Sequence, residues 1–242
     1  MNIFGLLGRD IGYSFSRNFF SNKFQKEKLN CQYQNFDLKK IEELKTIIQN
    51  TDIKGMNVTI PYKEEVIPYL DTLDTVAKEI GAVNVIKFEN NGTLKGYNSD
   101  YYGFTESLKP LLNKTIKKAL ILGTGGASKA IAYALDKLDI EYVFVSRNPN
   151  YKEFSYQDID EDIIKNYKLI INCTPLGTHP NTENHPDIPY QYLSDNHVLY
   201  DLIYNPEETT FIKKGKQNGA TTSNGLNMLI LQAEKSWEIW NL

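Results

Sequence analysis

The sequence is poor in the residues that build metal centres and disulfide frameworks. Its 242 residues include only two cysteines, Cys31 and Cys173, and three histidines, at positions 179, 185 and 197. Neither set has the spacing of a metal motif or of a disulfide framework. We therefore expect a chain suited to a reducing, cytoplasmic setting, with chemistry that does not depend on a metal ion.

Long apolar runs are also missing. No segment approaches the ~18 consecutive apolar residues that indicate a membrane helix. The opening MNIFGLLGRD becomes charged at Arg9 and Asp10, so we expect no signal peptide. The 27 basic residues are scattered among 30 acidic ones and the net charge is −3, which favours neither a nucleic acid nor a membrane surface as partner.

Strand-like and helix-like patterns alternate along the chain. Apolar runs such as Ile3–Leu7 and Gly55–Ile60 are separated by segments with helical spacing. This alternation predicts an α/β fold with a mainly parallel sheet. With 41% hydrophobic residues, the length allows one large or two small domains. The pattern indicates two α/β units that join near residue 101, with a cleft between them.

A glycine-rich turn lies between residues 117 and 148. The apolar run 119–122 ends in GTGG, a helical pattern follows, and a second apolar run covers 142–145. Strand, glycine turn, helix and strand in this order are typical of a dinucleotide site, where glycines let the backbone approach a pyrophosphate at the start of a helix. Ser128 stands where a strict GxGxxG pattern has its third glycine. A turn of this kind can also serve the fold alone.

The end of the second strand of this unit bears on the choice of cofactor. It reads Ser146-Arg147-Asn148, where an NAD-selective site usually places a carboxylate. A guanidinium can hold a 2′-phosphate with two charge-assisted hydrogen bonds. Lys129 and Lys152 could add positive charge. We therefore predict NADP over NAD; the alternative is that Arg147 is a solvated loop residue.

Four polar clusters lie at predicted strand ends or turns. They are YSFS (13–16), NVTIPYK (57–63), GAVN (81–84) and GYNSD (96–100). Their hydroxyls, amides, ammonium and carboxylate suit a small polyhydroxylated ligand, because each buried ligand hydroxyl needs hydrogen-bond partners. Each cluster also has a structural interpretation. Ser14 and Ser16 could be turn or N-cap residues, Asn57 and Thr59 ordinary strand residues and Asn84 a turn former. Asp100 could cap the following helix.

In their order and spacing these clusters resemble shikimate dehydrogenases. The motifs SFS, NVTIPYK, GAVN, NSDYYG and GTGGAS are followed by NCTPLG (172–177), DLIYNPEET (201–209) and NGLNMLILQA (224–233). The resemblance implies an N-terminal α/β substrate domain beside a Rossmann-like, doubly wound NADP-binding domain. It also implies reversible NADPH-dependent reduction of 3-dehydroshikimate to shikimate, a step of aromatic amino acid and chorismate biosynthesis.

The same resemblance assigns roles and boundaries. The substrate domain would cover 1–101, with the C-terminal helix 225–242 packing back onto it, and the cofactor domain 102–224. Lys63 and Asp100 would be the catalytic pair. The implied substrate-binding residues are Ser14, Ser16, Asn57, Thr59, Asn84, Tyr204 and Gln232. The implied cofactor-binding residues are Gly123, Thr124, Gly125, Gly126, Ala127, Ser146, Arg147, Asn148, Leu202 and Gly225.

The sequence departs from the family pattern at a few positions and leaves alternatives open. Tyr13 and Arg17 replace the usual His and Pro around the first serine pair, and Ser-Arg-Asn replaces Asn-Arg-Thr. The chain could instead be a quinate/shikimate dehydrogenase paralogue, a component of a fused pathway enzyme, or an NADP-binding sensor without activity. The resemblance leaves a monomer and a homodimer equally open.

Overall fold

The computed structural model describes residues 1–12, 14–50 and 53–242. The chain divides into two compact units. The first comprises Met1–Ser99 and Gln232–Leu242, and the second comprises Asp100–Leu231. Tyr13, the first residue of the YSFS cluster, lies outside the described residues. The sequence-based boundaries lay at 101/102 and 224/225.

The first unit is built on a mixed six-stranded sheet. Its strands run in the order β2-β1-β3-β5-β6-β4. They are β1 Asn2–Gly8, β2 Cys31–Asp37, β3 Ile53–Val58, β4 Thr72–Leu73, β5 Val85–Phe88 and β6 Leu94–Tyr97. All pairs are parallel except that β5 runs antiparallel to both neighbours. The hairpin from β5 to β6 turns at Gly92, which has a φ of +84°, a conformation that glycine adopts without strain.

Helices cover this sheet and complete the first unit. They are α1 Phe15–Lys26, α2 Leu44–Asn50, α3 Tyr62–Glu65 and α4 Thr75–Ile80, with 3₁₀ turns at Ile41–Glu43 and Ile67–Tyr69. An aromatic core links α1 to the end of the chain, where the Phe4 and Trp240 ring centroids are 4.9 Å apart. A Cβ on Gly55 would lie 2.3 Å from the Trp240 ring. A glycine in β3 therefore lets the C-terminal helix pack directly on the sheet.

The second unit contains a six-stranded, wholly parallel sheet. Its order is β12-β11-β10-β7-β8-β9. The strands are β7 Lys118–Leu122, β8 Glu141–Ser146, β9 Phe154–Ser155, β10 Leu169–Asn172, β11 Val198–Asp201 and β12 Thr221–Ser223. The central strands are continuous buried apolar runs, as expected for a parallel sheet covered on both faces. The strand order reverses between β7 and β10, so their carboxyl ends form the switch point at which such folds bind ligands.

The helices of the second unit pack on both faces of this sheet. They are α5 Asp100–Leu108, α6 Gly126–Lys137, α7 Glu161–Asn166 and α8 Thr210–Gln217, with 3₁₀ turns at Lys109–Leu111, Tyr156–Asp158 and Tyr190–Tyr192. One apolar cluster joins Phe104 and Ile131 to one face, and another joins Ile164 and Phe211 to the other. The final helix, α9 Leu226–Trp240, starts in the second unit and ends in the first. Two mostly parallel sheets with helices confirm the predicted α/β class.

Two further observations concern the described part of the chain. No helix there has both the length and the apolar character needed to cross a bilayer. No group of three or more His, Cys, Asp and Glu side chains there is placed to hold a metal ion. Cys31 and Cys173 are free thiols.

Candidate active site

Three side-chain amides from separate motifs meet inside the first unit. Asn57 lies near the end of β3, Asn84 directly precedes β5, and Gln232 lies on α9. All three side chains are buried. The Asn84 Nδ2 donates to Gln232 Oε1 at 3.4 Å, and the Asn57 Nδ2 donates to the backbone oxygen of Asn84 at 3.3 Å. Residues 148 positions apart in the chain thus share one hydrogen-bonded cluster.

Three hydroxyl groups complete this cluster. Tyr33 Oη donates to Asn57 Oδ1 at 2.8 Å, and Asn57 Nδ2 donates to Ser236 Oγ at 2.9 Å. Ser236 Oγ lies 3.1 Å from Ser99 Oγ, and Asn84 Nδ2 donates to Ser99 Oγ at 3.0 Å. We call Tyr33, Asn57, Asn84, Ser99, Gln232 and Ser236 the polar network. Because buried polar groups need partners, such a network fixes the direction of each amide.

The two serines after β1 lie at the start of α1. Ser14 is the N-cap residue of this helix, and its Oγ accepts a hydrogen bond from the Arg17 N–H at 3.2 Å. The structure therefore contains the capping role that the sequence left open for Ser14. The Ser16 hydroxyl interacts with the Tyr33 phenol and partly offsets the rise that burial causes in the pKa of Tyr33, which links the SFS motif to the polar network.

The NVTIPYK motif places Thr59 and Lys63 after β3. The Thr59 N–H donates to Leu7 O at 2.8 Å, and a Cβ on Gly8 would lie 2.6 Å from the Thr59 methyl group. Tyr62 anchors the short helix α3, because it is fully buried and its hydroxyl donates to Leu38 O at 2.7 Å. Lys63 follows this anchor and is half-buried.

The backbone before Asp100 is tied to the GAVN motif. The Asn98 Nδ2 donates to Ala82 O at 3.0 Å, and the Ser99 N–H donates to Asn84 Oδ1 at 2.6 Å. Asp100 is the first residue of α5 and is buried. A carboxylate in the first turn interacts favourably with the helix dipole, so Asp100 stabilises the start of α5.

The glycine turn lies at the switch point of the second sheet. Gly123 has a φ of +99°, and its N–H donates to Val145 O at 2.9 Å. A Cβ there would lie 3.0 Å from the Thr174 methyl group, so only glycine fits without strain. Gly125, the residue before α6, has no side chain to cap the helix. Buried Ser128 donates to Gly125 O at 2.6 Å, so the serine replaces the third glycine without disturbing the turn.

The turn fits the pyrophosphate of a dinucleotide. The exposed Thr124 and Gly125 and the half-buried Gly126 and Ala127 precede or begin α6, whose first turn contains no acidic residue. The start of a helix provides N–H groups and partial positive charge to an anion. These features support a cofactor phosphate at this position.

Two residues that the resemblance assigns to the cofactor, Leu202 and Gly225, lie in contact. The Gly225 N–H donates to Ile203 O at 3.0 Å, and a Cβ on Gly225 would lie only 2.1 Å from the oxygen of Leu202. Gly225 therefore permits a backbone approach that any other residue would prevent. Tyr204 is half-buried and follows two residues after Leu202.

Asp201 ties together the loops after β10 and β11. Its carboxylate accepts hydrogen bonds from Asn172 Nδ2 at 3.0 Å, Ile203 N–H at 3.0 Å and Thr209 Oγ1 at 2.6 Å. Burial nevertheless raises the pKa of Asp201 to about 6, because desolvation disfavours the charged form. Thr209 also caps α8. Asp201 therefore holds the segment next to Leu202 in place.

The proposed 2′-phosphate loop follows β8. Ser146 ends this strand and its Oγ accepts from the Asn148 N–H at 3.2 Å. Arg147 and Asn148 are exposed. The guanidinium is thus exposed to solvent at the end of β8, the position predicted to hold a 2′-phosphate.

The comparisons with known proteins identify the family. Residues 6–86 match the family model described as the shikimate dehydrogenase substrate binding domain. A curated relative from Methanococcus maripaludis, named shikimate dehydrogenase (NADP(+)), is 39% identical over 257 residues, which cover 98% of this chain and 90% of the relative. The chain belongs to the shikimate dehydrogenase family. The predicted resemblance is therefore confirmed.

Solved structures of the family have the same fold. The shikimate dehydrogenase from Aquifex aeolicus has a TM-score of 0.89 and 36% identity, over 100% of this chain and 92% of that one. The family member from Thermus thermophilus, solved in complex with NADP(H) and shikimate, has a TM-score of 0.88 and 28% identity, over 99% and 93% of the two chains. The likeness extends over both units.

Sequence reasoning did not single out Tyr33, Ser99 and Ser236. Ser236 follows Gln232 by one helical turn, so helical spacing could have placed both on one face of α9. Ser99 lies inside the quoted NSD motif. Tyr33 carries no motif signal, because its role depends on a partner 24 residues away.

Proposed function

We propose that the protein catalyses the reversible reduction of 3-dehydroshikimate to shikimate with NADPH. The observation that carries the proposal is the polar network, in which amides from the NVT, GAVN and NGLNMLILQA motifs meet in one buried cluster. The NADP(+)-dependent relative and the complex of the Thermus thermophilus family member with NADP(H) and shikimate support it.

The substrate would bind in the first unit. Shikimate carries hydroxyls and a carboxylate, and each needs partners once water is displaced. Ser14, Ser16 and Thr59 supply hydroxyl groups, and Asn57, Asn84 and Gln232 supply amides that can donate and accept. The family resemblance assigns Tyr204 to the same substrate.

Lys63 and Asp100 would perform the proton chemistry. Lys63 Nζ, as an ammonium, can protonate the oxygen of the reduced carbon, and as an amine it can remove the proton in the reverse direction. Asp100 would hold a substrate hydroxyl, which keeps the reacting carbon in position.

The second unit would hold the cofactor. NADPH, when bound, supplies the hydride. The turn 123–127 would bind its pyrophosphate and residues 146–148 its 2′-phosphate, while Leu202 and Gly225 would line the nicotinamide side. An arginine rather than a carboxylate after β8 supports NADP over NAD.

A direct assay tests this function. The purified protein is mixed with shikimate and NADP, and the absorbance of reduced nicotinamide is followed. We expect steady NADPH formation, with much slower formation of NADH from NAD. Quinate in place of shikimate distinguishes the paralogue alternative. Tight NADP binding without turnover of either acid would contradict the proposal and favour a sensor.

A further inference from the structure

We propose that Tyr33 and Ser236 are positioning residues, which hold the two ends of the Asn57 amide and thereby orient the groups that bind the substrate. This inference rests on the proposed function. Neither residue belongs to a motif of the site, and both are buried: Tyr33 is 3% exposed and Ser236 is 0% exposed. Their effect on the substrate would pass through Asn57, Ser16 and Ser99.

The contacts of Ser236 define the direction of its hydroxyl proton. Its Oγ–H donates to the backbone oxygen of Gln232 at 2.8 Å. The Ser236 lone pairs are then available to Asn57 Nδ2 at 2.9 Å and to Ser99 at 3.1 Å. Ser236 Oγ is then the nearest acceptor for the Ser99 hydroxyl, ahead of Gln232 Oε1 at 3.4 Å, and Ser99 Oγ accepts from Asn84 Nδ2 at 3.0 Å. The donor and acceptor roles of Asn84, Ser99, Ser236 and the backbone of α9 are thus mutually consistent.

Hydrogen bonds of the same network fix the orientation of the Asn84 amide. Its Oδ1 accepts from the Ser99 N–H at 2.6 Å, so its Nδ2 is turned towards Ser99 Oγ and Gln232 Oε1. An amide with both ends bonded in this way cannot rotate without breaking a buried hydrogen bond. Ser236 supports this arrangement as the acceptor for the Ser99 proton.

Tyr33 provides the corresponding contact at the other end of Asn57. Its ring stacks on Phe20, with 4.7 Å between centroids and an interplanar angle of 14°, and this packing fixes the hydroxyl. The Oη donates to Asn57 Oδ1 at 2.8 Å, and the Ser16 hydroxyl also interacts with this phenol. Burial raises the pKa of Tyr33 well above its usual value, so the phenol keeps its proton. A single hydroxyl therefore joins the SFS and NVT motifs.

Removal of either hydroxyl takes a hydrogen-bond partner from the Asn57 amide. Tyr33→Phe deprives Asn57 Oδ1 of its donor. Ser236→Ala removes the 2.9 Å acceptor of Asn57 Nδ2, which keeps the longer 3.3 Å bond to Asn84 O, and it removes the 3.1 Å contact of Ser99. The amide can then adopt other orientations, and part of the substrate's binding energy is used to restore the productive one. The expected signature is weaker substrate binding with little change at the cofactor site.

Steady-state kinetics test the inference. For Tyr33→Phe and Ser236→Ala we expect the KM for shikimate to rise about tenfold, from one lost buried hydrogen bond, with a smaller change in kcat and an unchanged KM for NADP. Because both hydroxyls act on Asn57, the double variant should raise the KM by less than the product of the two single effects.

Matched controls come from a second buried tyrosine–serine pair. Tyr200 Oη lies 2.6 Å from Ser107 Oγ, and both side chains are buried in the second unit. Tyr200→Phe and Ser107→Ala remove the same groups and should lower the melting temperature to a similar degree. Their KM for shikimate should remain within about twofold of the wild-type value.

The outcomes separate the inference from the proposed function. If the wild type turns over shikimate but Tyr33→Phe keeps its KM, the positioning role is wrong and the proposed function remains. An equal rise in the KM for NADP would also overturn the positioning role, since such a rise would indicate general disruption of the folded protein. A wild type without turnover of shikimate would overturn both. If Ser236→Ala does not fold, Tyr33→Phe alone tests the positioning role, because the Tyr33→Phe substitution leaves no cavity.

Discussion

The backbone N–H of Ser99 donates a 2.6 Å hydrogen bond to Oδ1 of Asn84. This contact joins the GAVN motif to the NSD motif, in which Asp100 is the next residue. The amide that we assign to the substrate thus also fixes the backbone from which the proposed catalytic carboxylate extends. A change at Asn84 should therefore affect both binding and turnover.

Loss of the proposed proton donor should abolish most activity. Lys63→Ala removes the group that we assign to proton transfer, so kcat should fall on the order of 10²-fold or more, with a milder effect on the KM for shikimate. Initial rates at saturating NADP measure both parameters. Lys78→Ala, which changes an exposed lysine on α4 of the same unit, should retain wild-type kcat. Unchanged turnover in Lys63→Ala would exclude the role.

Arg147 should determine the preference for NADP. Arg147→Ala removes an exposed cation at the end of β8. Hydrogen bonds to a charged group contribute about 1.5–3 kcal/mol, so the KM for NADP should rise about 10- to 100-fold. The KM for NAD, which has no 2′-phosphate, serves as the internal control and should change little. Equal losses for both cofactors would show that the arginine does not contact this phosphate.

Two glycines of the proposed cofactor site should respond differently to alanine. At Gly225 the new Cβ would lie 2.1 Å from Leu202 O, whereas at Gly125 it meets no atom within 4 Å. Gly225→Ala should lower the free energy of unfolding by about 1–3 kcal/mol or more. Gly125→Ala should leave stability nearly unchanged while weakening NADP binding. Urea denaturation without cofactor, together with NADP titration, measures both effects; similar unfolding midpoints for the two variants would contradict the prediction.

Asp201 should make stability depend on pH. Its folded-state pKa is raised from 3.8 to about 6, so the folded protein binds this proton more tightly than the unfolded chain. The resulting stabilisation is fully present below an unfolded-state pKa of about 4 and is lost as the pH rises through about 6. A shift of this size corresponds to at most about 3 kcal/mol.

The variant Asp201→Asn provides the comparison for this titration. The amide of Asn stays neutral at every pH in this range. The free energy of unfolding of the variant should therefore lack the decline that the wild type shows between about pH 4 and about pH 7. The quantity to compare is the difference between the free energies of unfolding of the two proteins at each pH. Burial lowers the pKa of His197, so in both proteins this histidine makes the free energy of unfolding rise with pH, opposite to the effect of Asp201. A constant difference across this range would show that Asp201 titrates normally.

Periodicity and motif order were sufficient for the architecture. The predicted apolar runs 119–122 and 142–145 lie within β7 and β8, because a short continuous apolar run marks a buried strand locally. The glycine turn before α6 was also recognisable, since its positive φ requires glycine at position 123.

Short elements were not predictable in the same way. The helices α3, α4 and α7 have four to six residues, too few for a helical period to appear. The GAVN motif directly precedes β5, which begins only at Val85, because the Val83 N–H donates to Lys63 O instead of extending the strand. Such competition depends on neighbours far away in the sequence.

The sequence by itself determined the α/β class, the family and the residue types available for chemistry, because local patterns and ordered motifs carry that information. Only the tertiary structure decided that Tyr33 and Ser236 hold the two ends of Asn57. The physical reason is that a hydrogen bond requires two groups within about 3 Å, and partners 24 and 179 positions away meet only when the chain is folded.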